Sequence, residues 1–165
     1  MNKPSPQNIL ISACLLGSPV RYNGTDLLIK HPLLKQWENE GRLISICPEV
    51  AGGMPTPRAP AEIISKDGES VLLGNSHVID NKGENVTKEF ILGANKALEL
   101  AQKHHCVAAI LTERSPSCGS NIIYDGSFSN IQKVGAGVTA SLLMKNGIKV
   151  FNQNQLDDLN NFLIL

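Results

Sequence analysis

The sequence predicts an α/β fold: three layers, with a short, parallel, Rossmann-like sheet flanked by helices and small β-hairpin insertions. Three observations predict it. Four short, mainly apolar runs (Ile9 to Ile11, Leu43 to Ile46, Val107 to Leu111, Ile148 to Phe151) have the pattern of strands buried on both faces. Segments with apolar residues at helical spacing lie between them, and that alternation is the mark of a helix-covered parallel sheet. Turn dipeptides at Gly74-Asn75 and Asp125-Gly126 point to hairpins added to that frame.

Each element follows from local chemistry. After a polar, proline-containing lead, the first strand ends at Ser12-Ala13-Cys14. A helix from His31 to Glu40 has Pro32 at its first position, Leu33, Leu34 and Trp37 on one face, and Gly41 as its stop. The second strand runs into Cys47-Pro48-Glu49, and Val50 to Pro60 is a Gly- and Pro-rich loop long enough to imply function. Val71 to Leu73 and Ser76 to Ile79 read as the arms of a hairpin, with a further turn at Asn81-Lys82-Gly83. From Val86 to His104, Phe90, Ile91, Ala94, Ala97, Leu98 and Ala101 form one helical stripe. The third strand, Val107 to Leu111, leads into Glu113 to Gly119. A helix from Val138 to Asn146, the strand Ile148 to Phe151 and a helix with Leu156, Leu159, Phe162 and Leu163 inward complete the order. His104 and His105 fall at a helix end, where a cation suits the dipole.

Residues 1–165 fit one domain with a real core. Fifteen basic residues balance 15 acidic ones, so there is no electrostatic footprint for nucleic acid. Seven aromatics (4 Phe, 2 Tyr, 1 Trp) are too few for a stacking platform on single strands. No run reaches the ~18–20 apolar residues of a membrane span, and MNKPSPQN lacks a signal-peptide core. The expectation is a cytoplasmic protein without nucleic-acid or membrane partners. In that compartment its 4 cysteines stay reduced, as metal ligands or nucleophiles rather than disulfides.

Cys14, Cys47 and Cys118 each follow the C-terminal end of a predicted strand, although 33 and 71 residues separate them. In a parallel sheet those ends share one edge, where ligands of open α/β sheets bind. Cys106 instead precedes the third strand, about 20 Å from that edge at ~3.3 Å per residue. The arrangement predicts a three-thiolate metal site; spacing alone leaves zinc and an iron–sulfur cluster both open. A single-cysteine nucleophile is the competing chemistry. Six residues separate Cys14 from Arg21, however, where small cysteine phosphatases have five, and no Asp-Pro acid is present.

At these residues the sequence resembles the thiouracil desulfurase family. The resemblance runs through Ile9 to Gly24 (ILISACLLGSPVRYNG), Cys47 to Ile63 (CPEVAGGMPTPRAPAEI) and Val86 to Ala101 (VTKEFILGANKALELA). It continues through Ser115 to Phe128 (SPSCGSNIIYDGSF) and Gly135 to Phe151 (GAGVTASLLMKNGIKVF), in unbroken order. It implies a 4Fe–4S cluster held by Cys14, Cys47 and Cys118, with one open iron that captures the sulfur of a thiolated pyrimidine such as 2-thiouracil. It also implies functional roles for Glu49, Ser115 and Ser117. Asn23 stands where Asp is commoner, and Thr112-Glu113-Arg114 replaces a Lys-containing lead. Both differences are expected to touch substrate preference before cluster binding.

The chemistry needs a base for water and a proton for the ring nitrogen or the leaving sulfur. Glu49, two residues from a ligand, is the candidate; Ser115 and Ser117 are expected to bond substrate or cluster. Arg58, in the Gly/Pro loop, and Arg21 are candidate donors to a small thiopyrimidine. The alternative is a non-catalytic iron–sulfur or zinc-binding module, a redox sensor or sulfur carrier. Gly135 to Ala140 matches a dinucleotide G-x-G-x-x-A pattern. No predicted strand feeds it, so it reads as a small-residue helix start suited to an anion. Asn85-Val86-Thr87 is a glycosylation sequon without meaning in the cytoplasm.

Overall fold

The computed structural model describes residues 7–164; the first residues of the polar lead lie outside that range. Four parallel strands form the sheet: β1 (Asn8–Ser12), β2 (Leu43–Ile46), β5 (Cys106–Ile110) and β8 (Lys149–Phe151), in the order β2-β1-β5-β8. Ile9, Ile11, Ala108 and Ile110 face one side and pack with Leu34 and Trp37 of α1 (Pro32–Asn39) and Leu156 and Leu159 of α6 (Leu156–Leu163). Leu10 and Ala109 face the other side. They meet Ala97 and Ala101 of α4 (Thr87–Lys103) and Ala140 and Leu143 of α5 (Val138–Lys145). Apolar residues on both faces of each inner strand thus produce the three layers.

The sheet order has a functional consequence. From β1 the chain moves outward to β2, then returns past β1 to β5. The carboxyl ends of β1 and β5 therefore flank the point where the winding reverses, which is where such sheets bind ligands.

Two insertions decorate the frame. β6 (Ile122–Tyr124) and β7 (Gln132–Val134) form the hairpin expected near Asp125-Gly126. The other hairpin differs from expectation. Its arms are β3 (Ala61–Ile64) and β4 (His77–Asp80), and the segment Gly68–Leu72 between them is the short helix α3. The Asp67 carboxylate accepts from the Ser70 amide at 3.1 Å and caps α3, so Gly74-Asn75 closes a helix rather than turning a hairpin. Likewise Val50 and Ala51 belong to α2 (Pro48–Ala51), and the irregular Gly/Pro loop begins at Gly52.

α2 lies directly against α4. A Cβ on Gly93 would fall on the Pro48 carbonyl, and one on Gly52 on the Glu89 carbonyl. Two glycines thus let the backbones touch, and this contact sets where Cys47, Pro48 and Glu49 sit. The G-x-G-x-x-A segment also departs from expectation, because β7 ends one residue before Gly135. That strand belongs to an antiparallel hairpin, not to the parallel sheet. The α5 amides are not open to an anion either: Val138 donates to the Pro116 carbonyl (2.8 Å), and Thr139 and Ala140 donate to that of Ser117 (2.9 and 3.1 Å). This helix start holds the Cys118 loop instead.

Candidate active site

One cavity of about 630 Å³ opens at the carboxyl edge of the sheet, lined among others by Cys14, Cys47, Glu49, Arg58 and Cys118. All four cysteines are free thiols. Cys14 lies in a 3-10 turn (Ala13–Leu16) that continues β1, Cys47 caps α2 directly after β2, and Cys118 follows β5. Strand ends thus gather residues that are distant in sequence. Cys106 starts β5, at the opposite end of that strand, where burial alone pushes its thiol up to about 11.

Two of the three sulfurs at the cavity, those of Cys14 and Cys47, have a hydrogen-bonding partner among the described residues. The Thr112 hydroxyl is 3.0 Å from Cys14 Sγ. Cys47 Sγ donates to the Val20 carbonyl at 3.8 Å. The nearby amides of Val50 and Glu49 pull the Cys47 thiol down against burial, as the Ser12 hydroxyl does for Cys118. Burial raises all three thiol pKa values, and their mutual proximity adds to this for Cys14 and Cys118. Among the described residues no three His, Cys, Asp or Glu side chains gather around a single-ion position. A soft, cationic metal–sulfur core fits this donor set: three free thiols, thiolates when they bind, on the wall of one cavity.

Glu49 is the acid nearest these thiols in sequence. Its side chain is 18% exposed, and its Oε2 accepts from Arg58 Nη2 at 3.2 Å. Burial pushes the carboxyl above its ordinary value, with the Arg58 charge pulling it back. Arg58 is 3% exposed and also donates to the carbonyls of Val20 (2.9 Å) and Pro55 (3.2 Å), so it braces two loops as it holds Glu49. Its Nε is buried without a partner. Arg21 lines the same cavity, its guanidinium 5.9 Å from the centre of the Tyr22 ring, and its charge favours the Cys14 thiolate.

The two serines divide. Ser115 lines the cavity, and its Oγ accepts from the amides of Ser117 (3.1 Å) and Cys118 (3.2 Å), leaving its hydroxyl proton unused by either bond. Ser117 is 1% exposed, is absent from the cavity wall and bonds Thr139 Oγ1 on α5 at 2.7 Å. Ser117, expected to bond substrate or cluster, here clamps its loop to a helix.

Glu113, part of the Thr112-Glu113-Arg114 departure in the sequence, has a structural role that the sequence does not show. Its carboxylate accepts from the amides of Ser120 (2.9 Å), Asn121 (3.1 Å) and Ile122 (3.0 Å) and from Asn152 Nδ2 (2.6 Å). It forms the inside of the Cys118 loop. With Thr112 on Cys14, this stretch also contacts the cysteine wall. Its place directly before Ser115-Pro116-Ser117-Cys118 was the available signal.

With this geometry in view, residues 9–155 match the 2-thiouracil desulfurase family. The chain belongs to that family. It is 43% identical over 151 residues to the "Uncharacterized protein YbbK" of Bacillus subtilis (strain 168), covering 92% of this chain and 99% of that protein. Its fold matches the solved structure of the [4Fe-4S]-dependent thiouracil desulfidase TudS with a TM-score of 0.86 at 45% identity. That match spans 95% of this chain and 97% of the other. Family membership accounts for the order of the sequence blocks, and the shared fold for the parallel sheet beneath them. No helix among the described residues is long and apolar enough to cross a membrane.

Proposed function

We propose that this chain is a 4Fe–4S-dependent desulfurase that hydrolyses the C–S bond of thiolated pyrimidines such as 2-thiouracil, without net redox change. The convergence of three free thiols and Glu49 on one cavity at the reversal point of the sheet carries this reading. Membership of the family and the thiouracil desulfidase activity of TudS support it. Cys14, Cys47 and Cys118 would hold the cluster, which would supply at an open iron a Lewis acid matched to a soft sulfur.

The protein's own groups do the rest. Arg58 engages Oε2 of Glu49, and Oε1 has no partner among the described residues, so Oε1 takes the proton of the attacking water. A raised pKa makes Glu49 a stronger base than an exposed carboxylate and lets it return that proton to the ring nitrogen or departing sulfur. The Ser115 hydroxyl and Arg21 are the donors available to the ring and its carbonyl, while Arg58, 3% exposed, acts through Glu49. The water oxygen bonds the ring carbon, the C–S bond breaks, and sulfur departs as sulfide. Neither carbon nor sulfur changes its oxidation level. We place the reaction in the reducing cytoplasm, and residues 1–165 act as one unit.

The test is anaerobic reconstitution, iron and sulfide analysis, and incubation with 2-thiouracil, with uracil and sulfide as readouts. Cys106→Ser should retain full iron content, whereas replacing Cys14, Cys47 or Cys118 by Ser should abolish it. A loaded cluster that releases no uracil would reduce the protein to a non-catalytic iron–sulfur module. Zinc in place of iron would overturn the cofactor.

A further inference from the structure

Of the seven aromatic residues, Trp37, Phe90 and Phe151 are buried in the core, and Phe162 packs on Phe151 with ring centres 6.0 Å apart. The remaining three, Tyr22, Tyr124 and Phe128, all line the cavity that holds the cysteines. A chain so poor in aromatics has placed every one that its core does not use around a single site.

Phe128 is the unusual member. It is 40% exposed and sits in the connection between β6 and β7 with φ +57°. A bulky side chain disfavours that left-handed backbone, and water disfavours an exposed phenyl ring; folding alone rewards neither. The conformation is imposed by Glu62 on β3. Its Oε1 accepts from the amides of Gly126 (2.9 Å) and Phe128 (3.3 Å). Gly126 has φ +93° and lies so close to β3 that a Cβ there would come within 2.7 Å of the Ile63 carbonyl. The tip of the hairpin is thus pinned to the neighbouring insertion, with an aromatic ring held at the cavity wall.

We propose that Phe128 is a specificity-determining residue that stacks on the face of a planar heteroaromatic substrate, and that Glu62 is the positioning residue that holds it there. The proposal rests on the thiopyrimidine reading and deepens it. Iron and Glu49 act on one C–S bond and do not distinguish a ring from an acyclic thioamide. A pyrimidine has a π-face, and an offset aromatic partner rewards planarity.

The test uses reconstituted enzyme, steady-state kinetics with 2-thiouracil and competition by uracil, which has the ring but no sulfur. Phe128→Asn removes the phenyl while suiting the left-handed backbone, so the loop still folds and the melting temperature holds or rises. It should raise KM for 2-thiouracil and Ki for uracil about tenfold, with kcat changed by less than about twofold. Phe128→Trp should keep both near the wild-type values. Glu62→Ala should reproduce the rise in KM, and Glu62→Gln, which retains an acceptor oxygen, should largely restore it. Wild-type turnover combined with an unchanged KM and Ki in Phe128→Asn overturns the stacking role and leaves the desulfurase reading intact. Absence of turnover in loaded wild type overturns the desulfurase reading itself.

Discussion

The Thr112 hydroxyl lies 3.0 Å from Cys14 Sγ, while the Thr112 amide donates to Ser12 Oγ, also at 3.0 Å, and the Ser12 hydroxyl pulls the Cys118 thiol down against burial. One residue just past β5 thereby ties the Cys14 thiol to the end of β1. When a cluster is bound, sulfur is the acceptor, and hydrogen bonds to ligand sulfurs lower their electron donation to iron. Thr112→Val keeps the shape and removes the donor. Its cluster should show a lower reduction potential and lose iron to a chelator several-fold faster. Redox titration and the kinetics of iron release check this, and a Ser12→Ala variant should move the potential in the same direction.

The ion pair between Arg58 and Glu49 sets a pH dependence. Burial raises the Glu49 carboxyl and the Arg58 charge opposes that rise. With Arg58→Met only the burial effect remains, so the carboxylate forms at higher pH. Because Glu49 acts as a base in its ionised state, the acidic limb of kcat/KM against pH should move upward. Arg58→Lys, which keeps the charge but not the fork, should move it less. A profile unchanged in Arg58→Met would remove Glu49 as the titrating base.

Much of the site is legible in the sequence because strand signals are local. Ile9 to Ile11, Leu43 to Ile46 and Val107 to Leu111 announce themselves as apolar runs, and a parallel sheet must then bring Cys14, Cys47 and Cys118 to one edge. What is not legible depends on partners remote in sequence. Glu113 looks like a surface acid until Asn152, 39 residues later, and the amides of 120–122 close on it. Ser117 looks reactive beside Cys118 until Thr139 takes its hydroxyl. The segment Val71 to Leu73 imitates a hairpin arm because Gly74-Asn75 serves a helix end as readily as a hairpin, and the Asp67 cap decides between them.

Gly93 carries a prediction about the site although it lies on a helix behind it. It is buried on α4, against Pro48 of α2, with no space for a side chain. Gly93→Ala gains helix propensity of ~1 kcal/mol but must push α2 away, at an overpacking cost of ~1–3 kcal/mol. The displaced residues are Cys47 and Glu49. Thermal unfolding should show no gain in stability, and iron content after reconstitution should fall. Gly147 supplies the contrast: a Cβ added there would meet nothing within 4 Å, although its φ is +81°. Gly147→Asn, suited to that backbone, should leave iron content unchanged.

Glu113 gives the clearest dependence of stability on pH. Partial burial tends to raise its carboxyl, but the amides of Ile122 and Asn121 together with the Asn152 side chain outweigh this and hold it below the ordinary 4.5. Between that lowered value and the unfolded one, the unfolded chain binds the extra proton. The stabilisation by Glu113 is therefore complete above about pH 4.5 and is lost as pH falls through the folded pKa. Glu113→Gln, which keeps one acceptor oxygen, should be less stable than wild type near neutrality, and the gap should narrow in acid. Glu113→Ala leaves three amides and Asn152 without their acceptor, at ~1–3 kcal/mol, which lowers the melting temperature by about 2–4 °C for each kcal/mol. Because the same carboxylate shapes the Cys118 loop, iron content should fall with it. Urea unfolding of both variants across pH, alongside iron analysis, checks these outcomes; a gap that stays constant into acid would show that the amides do not depend on the charge of Glu113.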